Sequence, residues 1–237
     1  MLKIGIAGLV IGIENRYDHI VRLVSGYTVD GEIDFSVSAS EAEIEEEMIS
    51  SNLGNPKAYY ESIVVYRKIA ERLPEYDAFV FHGAVLSEGD NAYAFTARSG
   101  VGKTTHIRLW CSVFGEKIRI LNGDKPIVRI IDGTPYACGT PWRGKENFGE
   151  CDMKPLRTVT FLERGAENVT EELSERDATL RFLSQVYMPT SASAISKTLA
   201  IAGKVLSSVG RIRLLCNMDL TAAEVSRAAV EKFSVYN

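Results

Sequence analysis

Apolar residues recur in short runs broken by Gly, Asp and Pro, a rhythm of strands and turns that becomes helical toward the end of the chain. Residues 2–13 read as a first core strand, and short runs alternating with Gly and Asp turns predict several strands before residue 40. The carboxylates of 41–47 predict a solvated helix face. Asn55-Pro56 then reads as an N-cap followed by proline at the first helical position. Tyr59, Tyr60, Ile63, Tyr66, Ile69, Ala70 and Leu73 follow at helical spacing, a core stripe that Pro74 ends.

Residues 79–86 and 92–96 predict two strands around the turn Ser87-Glu88-Gly89-Asp90-Asn91. A helix is expected from about 102 to 114, then a strand at 118–121 ending in Asn122-Gly123-Asp124. Residues 127–131 and 135–138 flank Asp132-Gly133, a hairpin signal. A polar, Gly-rich segment at 139–152 precedes a strand at 158–162. Ser174 predicts a helix cap for a helix to about 186, with further elements being a helix at 194–207 and a strand at 211–216. Thr221 and Glu224 have capping-box spacing for the last helix. No repeat or linker interrupts the pattern, which predicts one α/β domain over 1–237 with a mixed twisted sheet flanked by helices.

With 237 residues, 46% of them hydrophobic and 24% charged, the chain is an ordinary globular one. A net charge of −4 argues against a broadly basic, nucleic-acid-binding surface. The apolar stretch 2–13 is shorter than the roughly 20 residues of a membrane helix and lacks signal-peptide flanks, so no membrane partner and a cytoplasmic location are expected. Cys111, Cys138, Cys151 and Cys216 lack C-x-x-C spacing and read as reduced thiols.

The chemistry concentrates in Ala97-Arg98-Ser99-Gly100-Val101-Gly102-Lys103-Thr104-Thr105, between a strand and a helix. Its spacing is that of a phosphate-binding loop, with Ala97 in place of the first glycine. Backbone N–H groups of Ser99 to Gly102, with Thr105, would cradle the phosphates of ATP. Lys103 would reach the β- and γ-phosphates, and Thr104 would ligate Mg²⁺. Asp124, at the end of the next strand, is placed to share the Mg²⁺ and face an acceptor hydroxyl. Arg143 and Lys145 alternate with glycine, which suits cations meeting developing phosphate charge. Lys125 can pair with Asp124 or meet a phosphate. His82 reads either as core or as part of the site, His106 as a cap or as packing, and Trp142 as a substrate stack or a loop anchor.

His82-Gly83, the hairpin strand, Ser99-Gly100-Val101-Gly102-Lys103-Thr104 and Gly123-Asp124-Lys125 together resemble the catalytic domain of HPr kinase/phosphorylase, which shares a core with ATP-dependent phosphoenolpyruvate carboxykinase. The nearest likeness is to short HPr-kinase-like proteins, through Thr105-His106-Ile107-Arg108-Leu109-Trp110, Asn122-Gly123-Asp124-Lys125-Pro126 and Gly139-Thr140-Pro141-Trp142. The resemblance implies a phosphate-loop core at 79–165, a family-variable part at 1–78 and a helical part at 166–237. It implies a kinase moving the γ-phosphoryl group of Mg-ATP to a hydroxyl acceptor, with Lys103, Asp124, Arg143 and His82 catalytic, and a homo-oligomer, though the sequence does not fix the assembly. In the family an Asp-Asp pair follows the second strand; here its first member is Gly123, so either one carboxylate combines both roles or another residue such as Asp90 or Glu146 contributes. No Glu-Ile-Arg-Gly motif is found, so HPr itself is not implied as the acceptor, which stays open between a seryl protein or peptide and a small metabolite. The alternatives are a non-catalytic nucleotide-binding sensor or accessory protein and a carboxykinase-like enzyme.

Overall fold

In the computed structural model, which describes residues 1–98 and 100–235, the N-terminal apolar run is a hairpin rather than one strand. Ala7-Gly8 reverses the chain between β1 (Leu2–Ile6) and β2 (Leu9–Glu14), so Ile4, Ile6, Ile11 and Ile13 all enter one core. β3 (Phe35–Ser38) adds parallel to β2 and completes a three-stranded sheet.

Helices α1 (Asp18–Leu23), α2 (Glu41–Ser51) and α3 (Lys57–Arg72) accompany this sheet. α2 opens on a reciprocal cap: the Ser40 hydroxyl accepts from the Glu43 N–H and the Glu43 carboxylate accepts from the Ser40 N–H. Its acidic face is not simply solvated. Lys57 pairs with Glu41 and Glu45, Lys68 with Glu43 and Arg67 with the buried Glu47, which sets how α2 meets α3. Lys68, with the Ser40 N–H, holds the Glu43 carboxyl at about 2. Pro56, not Asn55, is the N-cap of α3; the Asn55 N–H donates to the Tyr60 hydroxyl instead.

The second sheet has nine strands: β4 (Ala78–Val80), β5 (Ala84–Glu88), β6 (Asn91–Thr96), β7 (Ile118–Asn122), β8 (Ile127–Ile131), β9 (Thr134–Cys138), β10 (Met153–Arg164), β11 (Val169–Glu172) and β12 (Gly210–Cys216). Along its main path the order is β4-β8-β9-β10-β6-β5-β7, and β12 joins β10 and carries β11. β10 changes partners along its length. Residues 153–155 run antiparallel to β9, and beyond a register shift near Leu156 the strand runs parallel to both β6 and β12. The result is an α/β protein with a mixed sheet.

The expected strand over 79–86 is broken at 81–83, where the chain leaves β8 and starts the β5–β6 hairpin. The hairpin at Asp132-Gly133 forms between β8 and β9 as expected. β11 was not foreseen; only Val169 of its four residues is apolar and it is exposed, so no alternation announces it.

α4 (Lys103–Phe114) and α7 (Thr221–Phe233) contribute to one core with Phe95, Leu214 and Val230, and α5 (Glu175–Leu183) and α6 (Ala192–Ser208) to another with Phe79, Val159 and Phe182. The capping box at the start of α7 does not form: Leu220 is the cap, and the Thr221 hydroxyl accepts from the Asn168 amide. Among the described residues no helix is long and apolar enough to cross a membrane.

His106 lies on the inner face of α4 and is core, as is Trp110. The Trp110 indole N–H faces His106 Nε2 at 3.1 Å and Ser226 Oγ at 2.6 Å. Burial pulls the His106 imidazole down to about 4. The unfolded chain therefore takes up this proton first, and stability is full above the unfolded value near 6.5 and falls as pH drops toward 4. The shift corresponds to a loss of about 3 kcal/mol between pH 7 and pH 4. Chemical denaturation at the two pH values should show this component, and His106→Leu should remove it; an unchanged slope in the variant assigns the acid sensitivity elsewhere.

Candidate functional site

Residues 97–102 connect β6 to α4. Gly100 (φ 78°) and Gly102 (φ 127°) take left-handed conformations that side chains disfavour, and the space beside both is open: a Cβ at Gly100 would meet no atom within 4 Å and one at Gly102 only Thr105 Cβ at 4.0 Å. The first turn of α4 carries Lys103 and the half-buried Thr104, with Thr105 exposed. Lys103 Nζ donates to the Ala97 carbonyl at 3.1 Å, folding the side chain back over the loop. The expected contribution of Ser99 lies outside the described residues. Sequence reasoning missed Arg164, at the end of β10, whose guanidinium donates to the carbonyls of Gly100 (2.6 Å) and Val101 (3.4 Å) and braces the loop.

The strand break at 81–83 positions His82. Phe81 N–H donates to the Pro126 carbonyl at 2.9 Å and Gly83 N–H to the Asp124 carbonyl at 3.0 Å, so residues 81–83 lie against 124–126. His82 N–H donates to the Gln185 carbonyl, and the His82 carbonyl accepts from the Thr96 hydroxyl. His82 Nε2 consequently sits 3.7 Å from Asp124 Oδ1. Burial, and then the nearby Lys103 ammonium, lower the His82 pKa against the opposing pull of Asp124. Burial likewise lowers that of Lys103, which Asp124 partly offsets. His82, Lys103 and Asp124 therefore share one electrostatic neighbourhood.

Asn122 fixes the position of Asp124. It is fully buried at the end of β7, and its side-chain oxygen accepts from the N–H groups of Asp124 (2.8 Å) and Lys125 (2.7 Å). Its amide nitrogen faces the Thr140 carbonyl, the Thr140 hydroxyl and the Trp142 carbonyl at 2.9–3.3 Å. The Lys125 carbonyl accepts from the Tyr66 and Thr140 hydroxyls. An Asn-Gly-Asp turn following a strand is the sequence signal for such a residue.

The segment 139–149 packs against this turn. Trp142 anchors it, stacked on Tyr66 at 4.2 Å between ring centroids with its indole N–H donating to the Ser62 carbonyl. The Arg143 guanidinium lies over the Tyr27 ring, with Nη2 3.4 Å from the Tyr27 hydroxyl. Gly144 (φ 73°) lies so close to Asp124 that a Cβ there would come 2.8 Å from Asp124 Cβ. A Cβ at Gly123 would lie 3.3 Å from Phe148 Cβ, a tight contact that would make Phe148 give way slightly. Asp90 is an exposed turn residue 3.5 Å from Lys154, and Glu146 pairs with Arg108 on α4.

No family model and no curated protein matches the chain. Among solved structures it is similar to the Hpr(Ser) kinase/phosphatase from Coxiella burnetii, with 10% identity and a TM-score of 0.39 over 65% of this chain and 97% of that one.

The bonding of Asn122 leads to a direct expectation. Asn122→Ala orphans two N–H groups at the turn and frees the Thr140–Trp142 segment, which should destabilise the protein by about 2–4 kcal/mol. Hydrogen exchange should show the Asp124 and Lys125 amides losing protection before the sheet does. Wild-type protection of both amides in the variant would overturn the anchoring role.

Proposed function

We propose that the chain is an ATP-dependent phosphotransferase acting on a hydroxyl acceptor, with 97–105 serving as a phosphate loop of the HPr-kinase type. The observation that supports this best is the convergence of Lys103, at the N-terminus of a helix, with Asp124 and His82, at the ends of neighbouring strands. The open face of the Gly100–Gly102 backbone suits close approach of phosphate oxygens.

Lys103 and the loop amides would hold the phosphates while Asp124 accepts the acceptor's proton. The acceptor oxygen forms its bond to the γ-phosphorus as the bond to the β,γ-bridging oxygen breaks, leaving ADP. His82, kept neutral by burial and Lys103, leaves the Asp124 carboxylate available to the acceptor; a protonated His82 would pair with it instead. A bound Mg²⁺ would offset phosphate charge, with Thr104 and Asp124 as its protein ligands. Among the described residues no three His, Cys, Asp or Glu side chains form a metal cluster, which fits an ion completed by phosphate and water rather than a protein cage.

The nucleotide-binding sensor is a second reading, favoured by Gly123, which leaves one carboxylate at the turn. Incubation with Mg-ATP and a panel of alcohols and seryl peptides, following ADP and labelled product, separates the two. Asp124→Asn should lower phosphoryl transfer by at least about 100-fold with nucleotide affinity retained. Lys103→Ala should weaken nucleotide binding by about 10- to 100-fold. Tight binding with no transfer to any acceptor favours the sensor, and undiminished transfer by Asp124→Asn removes the residue from the reaction.

The pH dependence follows from His82. Its lowered pKa places the acid limb of kcat/KM below about 6.5, and His82→Gln should remove that limb while leaving Mg-ATP affinity in place. A wild-type limb in the variant assigns the titration to another group.

A further inference from the structure

Lys125 combines a tightly held backbone with an ammonium that none of the described residues engages. Its N–H donates to Asn122 Oδ1 at 2.7 Å, and its carbonyl accepts from Tyr66 Oη at 2.7 Å and Thr140 Oγ1 at 3.0 Å. The side chain is exposed, and the described residues offer its ammonium no ion pair and no hydrogen bond. It does not pair with the adjacent Asp124, whose near neighbour is His82. Many other surface cations of this net-acidic chain are engaged, including Lys57, Lys68, Lys154, Arg108, Arg213 and Arg227.

The location of this free charge matters. Lys125 directly follows Asp124 on the turn, and Asp124 lies 3.7 Å from His82, whose pKa the charges of Lys103 and Lys125 both lower. In the phosphotransferase reading, on which this inference rests, Lys103 belongs to the nucleotide phosphates. Lys125 is left over on the turn that carries the proton acceptor. A neutral alcohol would give it no partner, whereas an anionic group on the acceptor would form a charge-assisted contact. A long, flexible stem on a fixed Cα suits a group a few bonds from the reacting hydroxyl.

We propose that the acceptor is an alcohol carrying an anionic group, a carboxylate or a phosphate, close to the hydroxyl, and that Lys125 is the residue that selects it. The anion can belong to a free hydroxy acid or phosphorylated alcohol, or to an acidic side chain beside a serine in a peptide.

The test uses the full chain with Mg-ATP and matched acceptors: glycerate against glycerol, serine against serinamide, glycerol 3-phosphate, and seryl peptides with Glu or Gln beside the serine. Anionic members should be preferred in kcat/KM by about tenfold or more, with the preference carried by KM. The arm that shows it identifies the source. Lys125→Met keeps the backbone groups used by Asn122, Tyr66 and Thr140, so the fold should persist; it should collapse the anionic-to-neutral ratio toward one, and Lys125→Arg should restore most of it. Preference for neutral acceptors, or an unchanged ratio in Lys125→Met, overturns the role of Lys125 while leaving phosphoryl transfer standing. Bound Mg-ATP with no transfer to any member overturns the phosphotransferase reading and this inference with it.

Discussion

A single buried amide holds the candidate site together. Asn122 satisfies the turn it begins and, through the other end of the same side chain, the segment at 140–142. In a low-dielectric interior these bonds are costly to leave unmade, so the amide acts as a clamp and the two segments cannot move independently. From that clamp follow the orientation of Asp124, the fixed Cα of Lys125 and the seat of Trp142 on Tyr66. The 81–83 break then docks on the same turn and brings His82 alongside. Tyr66 reaches this turn from α3, so the helix that accompanies the three-stranded sheet also takes part in shaping the site.

Position 123 has a steric logic. Phe148 and the Arg143 carbonyl lie close beside Gly123. A side chain at 123 would make the 143–148 segment shift slightly. Arg143 follows the same segment and ends over Tyr27.

Several local signals were legible in the sequence, although the hairpin closed at Ala7-Gly8 was not. The strand–loop–helix at 92–114, the Asp132-Gly133 hairpin and the core stripe of α3, apart from the exposed Tyr59, needed only periodicity and turn residues. His82 and Asp124 were named, but their proximity depends on main-chain bonds between 81–83 and 124–126 that no spacing encodes. Other features were decided by tertiary partners. Thr221 has capping-box spacing yet bonds Asn168, while the equivalent pattern at Ser40 does cap its helix. The acids of α2 looked solvated because the Lys57, Arg67 and Lys68 that meet them lie on the next helix. Arg164 carries no local signal for bracing a loop 64 residues earlier.

That separation has a bearing on synthesis. β6, which leads into the loop, pairs with β5 at once, but its other neighbour β10 and the bracing arginine emerge more than sixty residues later, and β12 later still. On a ribosome the Gly100–Gly102 loop therefore exists for seconds without the contacts that shape it. The early hairpin supplies a template, and the parallel pairings that complete the loop's surroundings are of the kind that close slowly. The loop of a nascent chain therefore takes its final form only after Arg164 has been made, and anything that depends on that form comes late in folding.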